Sequence, residues 1–344
     1  MAKVLLVDVD SVWPNLALMK ISTYHKQQGD EVYLQKLKRL YRDKQLGSYN
    51  IEKRAPQLTY DEEYISCIFR RNRDKVITMA KMHQTQGVYV QIGGVGIDLL
   101  NKIPPAIESC KPDYTLYNIS YGMGFLTRGC IRHCPWCVVP QKEGNIQLAT
   151  PLKDIMNPHS SNIMIFDNNL LSYPAHKEIL IEMLGRHLKV CNTQAFDIRL
   201  IDNQNANIIA KIQFTDNEFK HPRIYFSWDL LDIEYKVYEG IEILRRHRIP
   251  PSRLFFYNLC GFHVTPEEYN WTYFMQNDWY RYEKLTVLGC LPFIMKYNNR
   301  NDIPLLNAFA RWVNFEHKAK KKILGRLGSF KSYLQHEYPN IKQT

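Results

Sequence analysis

The chain has 344 residues, of which 45% are hydrophobic and 23% are charged. This composition is ordinary for a globular protein, and the length suggests about two domains, because a domain usually has roughly 100–200 residues. No stretch approaches the roughly 18 consecutive apolar residues of a membrane-spanning helix. The opening segment Lys3–Asp8 is typical of a first strand and not of a signal peptide, so we expect a cytoplasmic protein without a membrane partner.

The formal net charge is +11, which favours an acidic partner such as nucleic acid. The basic residues are spread over several segments, and the densest of these lies between Lys318 and Arg326. Other groups lie at Lys36–Arg42, Arg70–Lys75 and Arg245–Arg248. Basic runs of this kind are more often solvated helix faces than binding sites, so the charge alone assigns no partner.

Strand and helix patterns alternate over the first part of the chain. Strands are predicted at Lys3–Val9, Glu31–Leu34, Tyr64–Phe69 and Val88–Ile92, and helices at Leu16–Gln28 and Asp74–Gln86. This alternation predicts an α/β fold with an open, parallel, Rossmann-like sheet, which we place at residues 1–117. The basic segment 35–60, broken by Gly47 and Pro56, is predicted to be irregular or short-helical.

A second alternation follows, and it predicts a partial (β/α)6 barrel over residues 118–300. Its strands are predicted at Gly124–Thr127, Asn162–Phe166, Thr193–Ile198, Arg223–Ser227, Arg253–Tyr257 and Thr286–Met295. Its helices are predicted at Pro174–His187, Asn203–Ile212, Asp232–Arg248 and Pro266–Lys284. A basic helix at Asn307–Gly325 would form a C-terminal extension over residues 301–344. In barrels of this kind, reactive residues lie at the carboxyl ends of the strands.

Three of the eight cysteines fall within eight positions, after the first predicted barrel strand. Cys130, Cys134 and Cys137 have the spacing Cys-x3-Cys-x2-Cys, whereas the other five are scattered, as expected of small buried residues. A large chain with this distribution does not fit a disulfide framework. Three thiolates on one loop can hold three irons of a cubane cluster and leave the fourth iron open to a small-molecule chelator.

This loop resembles the signature of the radical S-adenosylmethionine (SAM) superfamily, including Trp136 before the third cysteine. The resemblance covers roughly residues 119–300. It implies a [4Fe–4S] cluster on Cys130, Cys134 and Cys137 with SAM at the fourth iron. Reductive cleavage of SAM would give a 5′-deoxyadenosyl radical that abstracts hydrogen from an unidentified substrate. The implied partner is an electron donor such as flavodoxin or ferredoxin.

Other interpretations of the same residues stay open. The net charge of +11 favours an RNA- or nucleotide-modifying radical SAM enzyme that transfers a methyl or methylthio group, although no second cysteine cluster is found. A zinc- or cluster-stabilised binding protein is the alternative outside catalysis. Structural zinc would need His133 or a distant histidine as fourth ligand, and the second cysteine pair of most zinc loops is missing. Three buried cysteines without a ligand are the remaining interpretation, but this loop is polar.

Polar side chains follow the predicted barrel strands at the edge where reactive residues lie. In the family, the end of the second strand meets the SAM amino group, and Asn168 and Asn169 stand there in place of the common Gly-Gly-Glu pattern. Asp197 and Arg199 end the third predicted strand and should point the same way. The other cofactor-binding candidates are Trp136, Ser227, Asp229, Tyr257 and Asn258. A plain structural role is an open alternative for each strand-end residue.

The N-terminal domain resembles the cobalamin-binding domain that precedes the barrel in one large class of radical SAM enzymes. The matching features are the first strand, the sequence Trp13-Pro14-Asn15-Leu16 and the strand-ending Gly93-Gly94, where a backbone without side chains could approach a ligand. The Asp-x-His-x-x-Gly motif that supplies a cobalt ligand is absent, and His25 and His83 lie in predicted helices. Either cobalamin binds without a protein histidine or the domain has lost it, and the sequence favours loss.

Overall fold

A computed structural model describes residues 1–37, 59–319 and 329–341. The chain is a mixed α/β protein with parallel sheets, as the sequence predicts. It divides into two compact units, Met1–Gly124 with Lys153–Ser160, and Phe125–Leu152 with Ser161–Thr344. The chain therefore enters the second unit after Gly124 and not after residue 117. Most of the irregular segment predicted at 35–60, the basic residues Lys38, Arg39 and Arg42, and the basic segment from Lys320 to Arg326 lie outside the described residues.

The first unit contains a four-stranded parallel sheet. Its strands are β1 (Lys3–Asp8), β2 (Glu31–Lys36), β3 (Glu62–Ser66) and β4 (Tyr89–Gly93), followed along the chain by the short β5 (Gly122–Gly124). Its helices are α1 (Leu16–Gln27), α2 (Arg73–Gln84) and α3 (Pro105–Glu108). The strand order is β2-β1-β3-β4, and all three pairings are parallel. The predicted parallel sheet of this unit is confirmed.

This sheet is buried on both faces because successive side chains of β1 point to opposite sides. Leu5 and Val7 pack in one cluster with Val76 of α2. Leu6 packs in another cluster with Leu18 of α1. Parallel strands covered on both faces are continuous apolar runs, which explains why β1 shows no alternation of apolar and polar residues.

The second unit contains two groups of parallel strands and one antiparallel hairpin. Its strands are β6 (Thr127–Arg128), β7 (Gln147–Leu148), β8 (Asn162–Ile165), β9 (Lys189–Asn192), β10 (Gln213–Phe214), β11 (Ile224–Ser227), β12 (Leu254–Cys260) and β13 (Leu291–Lys296). The helices from here to the C-terminus are α4 (Val139–Glu143), α5 (Leu152–Ile155, at the boundary of the units), α6 (His176–Gly185), α7 (Asn203–Ile209), α8 (Glu234–Arg246), α9 (Trp271–Phe274), α10 (Tyr280–Val287), α11 (Pro304–Ala319) and α12 (Phe330–Glu337). Strands β8, β9 and β10 pair in parallel, as do β11, β12 and β13, and β6 pairs with β7 in an antiparallel hairpin.

Hydrogen bonds at Tyr225 join the two parallel groups. The amide of Asn192, the last residue of β9, donates to the Tyr225 carbonyl over 3.2 Å and accepts from the Tyr225 N–H over 3.4 Å. The N–H of Phe196 also donates to the Tyr225 carbonyl, over 2.8 Å. A side chain thus replaces part of a backbone ladder, so the end of β9 is held beside β11.

The residues predicted as a separate C-terminal extension belong to the second unit. Helix α11 packs on β13, where the Asn314 amide binds both the N–H and the carbonyl of Ile294, each over 2.9 Å. Phe309 and Phe330 are buried in one cluster with Ile294. The helix begins at Pro304, before the predicted start at Asn307, and its predicted last turn lies outside the described residues.

Four predicted elements differ from the structure. The strand predicted at Gly124–Thr127 is not continuous, because Gly124 ends β5, Thr127 begins β6, and the two residues between them lie in neither strand. The strand predicted at Thr193–Ile198 lies instead at Lys189–Asn192, because Ala195 has a φ of +74° and the chain leaves the extended conformation there. The helix predicted from Pro266 starts at Trp271, since Asn270 is the residue that caps it. The strand predicted from Thr286 starts at Leu291, after the end of α10 and a turn at Gly289 with φ of +81°.

None of the helices in the described part of the chain combines the length and the apolar character that crossing a membrane requires.

Candidate functional site

The three clustered cysteines lie on the loop of the β6–β7 hairpin. Thr127 pairs with Leu148 and Arg128 with Gln147, so the two ends of the loop that joins these strands lie side by side. Gly129 opens the loop with a φ of +85°, and a Cβ there would overlap the carbonyl oxygen of Asn145. The N–H of Cys130 then donates to the carbonyl of Gly144 over 3.2 Å. The hairpin thus fixes the first cysteine against the returning strand.

Asp167 holds the chain that leads into this loop. Its buried carboxylate accepts hydrogen bonds from the N–H of Leu126 over 3.0 Å and of Thr127 over 2.5 Å, and from the Thr127 hydroxyl over 2.6 Å. Burial raises the pKa of Asp167 to about 6, although these hydrogen bonds oppose the shift. The end of β8 therefore determines where the cysteine loop begins.

We expect Asp167→Asn to lower the free energy of unfolding by about 1–3 kcal/mol, because its amide would turn an N–H group towards buried donors. The raised pKa of Asp167 means that the folded state favours its protonated form. The free energy of unfolding of the wild type should hence fall by up to about 3 kcal/mol as the pH rises from about 4 to about 6, because Asp167 then loses the proton that the folded state favours. Urea unfolding of both proteins between pH 4 and 7 checks this, because the variant should lack that part of the pH dependence. An identical pH dependence in the two proteins would contradict it.

Glu143 fixes the other side of the loop. Its carboxylate accepts hydrogen bonds from the Arg128 guanidinium over 3.0 Å, the Gly129 N–H over 3.0 Å and the Asn168 amide over 2.6 Å. Asn168, which is predicted to contact SAM, therefore donates an amide N–H to a residue at the base of the cysteine loop. Glu143 itself is almost buried, with 8% of its side chain exposed.

The cysteine sulfurs have different surroundings. The Sγ of Cys130 accepts hydrogen bonds from the Arg132 N–H and from the Asn169 amide, both over 3.3 Å. The N–H of Cys137 donates to the carbonyl of Cys134 over 2.9 Å, which closes the turn between these two residues. Burial raises the pKa of the Cys134 and Cys137 thiols. A metal or cluster would have to displace those protons.

Charged residues from the next strand connections lie in the electrostatic environment of Cys134. Asp197 caps the turn Ile198–Leu200 and accepts hydrogen bonds from the Arg199 guanidinium over 2.7 and 3.0 Å and from Arg132 over 2.9 Å. Burial raises the pKa of Asp197, but the two guanidinium groups outweigh it and leave that pKa below its ordinary value. One carboxylate between two arginines leaves a net positive charge, and the Arg199 charge favours the thiolate of Cys134.

Asp197 and Arg199 are thus brought to the cysteine loop, but not by the element that was predicted. They lie in a turn after β9, and not at the end of a strand. Their pairing comes from the turn, in which the Asp197 carboxylate accepts from the Arg199 N–H over 3.1 Å.

Asp229 lies two residues after Ser227, the last residue of β11. Burial raises the pKa of Asp229 to about 6, although the Arg281 and Arg199 charges oppose the shift. Asp229 also raises the pKa of the Cys134 thiol through its negative charge. The carboxylate is therefore in the same environment as the cysteine loop, whereas Ser227 is half-buried on the strand itself.

Trp136 is placed by aromatic contacts. Its ring meets that of Phe262 edge-on, with ring centres 5.1 Å apart, and Phe262 meets Tyr297 at 4.9 Å. Phe262 lies just after β12, and Tyr297 just after β13. The cysteine loop hence contacts the segment after β12, and Phe262 in turn contacts the segment after β13.

Tyr257 and Asn258 lie on opposite faces of β12. The Tyr257 hydroxyl donates to the carbonyl of Thr193 over 3.1 Å, and its ring stacks on Tyr225. Asn258 is 0% exposed, and neither atom of its amide has a partner in the described residues. Because a strand alternates its side chains, the two residues point to opposite sides of the sheet.

Among residues 1–37, 59–319 and 329–341, no three histidine, cysteine or acidic side chains converge as a single metal ion requires. A cubane cluster places a different iron at each thiolate, so its ligands need not converge on one point. The donor set of three cysteines fits such a cluster. The buried Oδ1 of Asn169, which has no partner in the described residues, is an acceptor suited to an ammonium group beside it.

The first unit offers neither of its two predicted helical histidines as a cobalt ligand. His25 binds Asp30 over 3.0 Å and Tyr64 over 3.1 Å, and His83 binds Glu63 over 2.6 Å, so both predicted helical histidines have structural partners. The strand-ending glycine is needed for packing, because a Cβ on Gly94 would overlap the carbonyl of Cys67. Gly94 therefore allows close contact within the unit, whereas a Cβ on Gly93 would meet only the Asn101 amide, at 3.7 Å.

Sequence reasoning missed Glu143 and Phe262, because nothing in the local pattern around either residue indicates its partners. For the Asp167 carboxylate, in the strand-end motif Phe166–Asn169, the sequence predicts a contact with an ammonium group, whereas in the structure it accepts hydrogen bonds from the N–H groups of Leu126 and Thr127. No protein-family model and no curated protein matches the chain.

Proposed function

We propose that the protein is a radical SAM enzyme whose second unit is a partial (β/α)6 barrel holding a [4Fe–4S] cluster on Cys130, Cys134 and Cys137. One observation carries the proposal. Arg132 of the cysteine loop binds Asp197 over 2.9 Å, and Cys134 shares its electrostatic environment with Arg199 and Asp229, which follow strands β9 and β11. A structural zinc loop has no need of charged groups from strand ends, whereas a cluster that binds a charged small molecule does.

The chain's own residues divide the work of holding SAM. Asn169 offers a buried carbonyl oxygen to the SAM ammonium group. Arg199 is a cation for its carboxylate, and Asp229 is an acceptor for ribose hydroxyls. When bound and reduced, the cluster supplies the electron that cleaves SAM to methionine and a 5′-deoxyadenosyl radical, which takes a hydrogen atom from the substrate. Asp167 and Glu143 keep the loop that carries the cysteines in place.

The test is anaerobic reconstitution of the full chain with iron and sulfide, followed by dithionite and SAM. We expect a brown protein with an absorbance shoulder, about four irons per chain, and 5′-deoxyadenosine as product by mass spectrometry. Candidate substrates, including tRNA, are then added to find one that increases the yield. Colourless protein with one zinc per chain would contradict the proposal, as would a verified cluster that yields no 5′-deoxyadenosine with any of the substrates.

A further inference from the structure

Asn169 lies four residues after the end of β8 and is 3% exposed, so its amide is almost fully removed from water. Its Nδ2 donates a hydrogen bond to the Sγ of Cys130 over 3.3 Å. Its Oδ1 has no partner in the described part of the chain. The contact with sulfur therefore orients the amide.

The backbone around Asn169 holds this orientation. Its carbonyl accepts hydrogen bonds from the N–H of Ser172 over 3.0 Å and from the Ser172 hydroxyl over 2.8 Å. Leu170 and Leu171, which follow it in the same turn, are 1% and 3% exposed. The turn that carries Asn169 is therefore anchored in the apolar interior.

Cys130 differs from the other two cysteines in this respect. Its Sγ accepts the Asn169 amide and also the N–H of Arg132, over 3.3 Å. Over the residues that the structure describes, no side chain donates a hydrogen bond to the Sγ of Cys134 or Cys137. Among the three cysteines of the described loop, Cys130 is thus the one whose sulfur accepts a hydrogen bond from a side chain.

We propose that Asn169 raises the reduction potential of the cluster through its N–H···S hydrogen bond to Cys130. The inference rests on the proposed function, because it requires a cluster on these cysteines. One-electron reduction increases the negative charge on the ligating sulfurs, and an N–H dipole directed at a sulfur stabilises that charge. Asn169 is in this respect a positioning residue, because it acts through Cys130.

The test is a redox titration of the reconstituted full chain without SAM, followed by electron paramagnetic resonance of the reduced cluster. Asn169→Leu removes the donor with little change in volume. At a fixed solution potential, we expect its reduced-to-oxidised ratio to fall about tenfold, which corresponds to a shift of ~59 mV to more negative potential. Asn169→Asp should shift the potential in the same direction at least as far, because a carboxylate replaces the donor.

Asn168→Leu is the matched control, because the Asn168 amide donates to Glu143 over 2.6 Å and not to sulfur. It should keep the wild-type potential. Iron and sulfide content is measured first, so that a wild type without a cluster counts against the proposed function alone. Assembled clusters with equal potentials in the wild type and the Asn169 variants overturn the inference, as does an equal shift in Asn168→Leu. If Asn169→Leu assembles no cluster, Asn169→Asp decides; if that variant also assembles none, Asn169 is required for assembly and the inference is overturned.

Discussion

Replacing Cys134 with alanine is expected to abolish 5′-deoxyadenosine formation, with a loss of at least about 100-fold. Each cysteine of the loop would hold a separate iron, so the variant would keep only two protein ligands. Removing groups that merely support a metal ligand typically costs about 10–100-fold, and removal of a ligand itself should cost more. The measurement is product yield with dithionite and SAM, together with iron content after anaerobic reconstitution.

Cys110→Ala is the matched control for this variant. Cys110 is partly exposed in the first unit, and its thiol donates to the carbonyl of Ala106 over 3.4 Å. It should reconstitute with the same iron content and form product at the wild-type rate. Full activity in Cys134→Ala would refute the assignment of the cluster to this loop. Equal losses of product in the two variants would show that the effect is not specific to Cys134.

Replacing Asp278 with alanine is expected to lower the free energy of unfolding by about 3–5 kcal/mol, the usual cost of leaving one partner of a buried ion pair. Asp278 is 1% exposed and binds Arg281, itself 3% exposed, over 2.6 Å. It also accepts the hydroxyl of Tyr269. The variant would thus leave a buried guanidinium without its ion-pair partner and a buried hydroxyl without its acceptor.

The effect should extend to the candidate site, because Arg281 also donates to the carbonyls of Trp228 over 2.7 Å and of Asp229 over 2.6 Å. Urea unfolding measures the loss, and product yield of the folded fraction shows whether Asp229 stays in place. Glu218→Ala serves as comparison, because Glu218 and its partner Lys220 are both exposed and such pairs contribute little. Its unfolding midpoint should match the wild type. A midpoint for Asp278→Ala that equals that of Glu218→Ala would contradict the prediction.

The candidate site was only partly readable from the sequence. The three cysteines could be found because their spacing is local, and one loop supplies all of them. Asp197 and Arg199 could be singled out, but they were assigned to a strand because the positive φ of Ala195 leaves no clear mark in the sequence. Asn258 was grouped with Tyr257 because both are polar and near a strand end, although β12 continues to Cys260 and turns Asn258 to the buried face.

The α/β class with parallel sheets and the place of the cysteine loop in the chain could be predicted from the amino-acid pattern, because apolar periodicity and close cysteine spacing are properties of neighbouring residues. The side chains that surround that loop became apparent only in the folded chain. Asp167 reaches back about 40 residues to Thr127, and Arg132 reaches 65 residues forward to Asp197. Such contacts depend on how strands align and where turns reverse the chain, and a single sequence records neither directly. The same reason explains Asn169, whose hydrogen bond to Cys130 exists because the end of β8 comes to lie beside the hairpin loop.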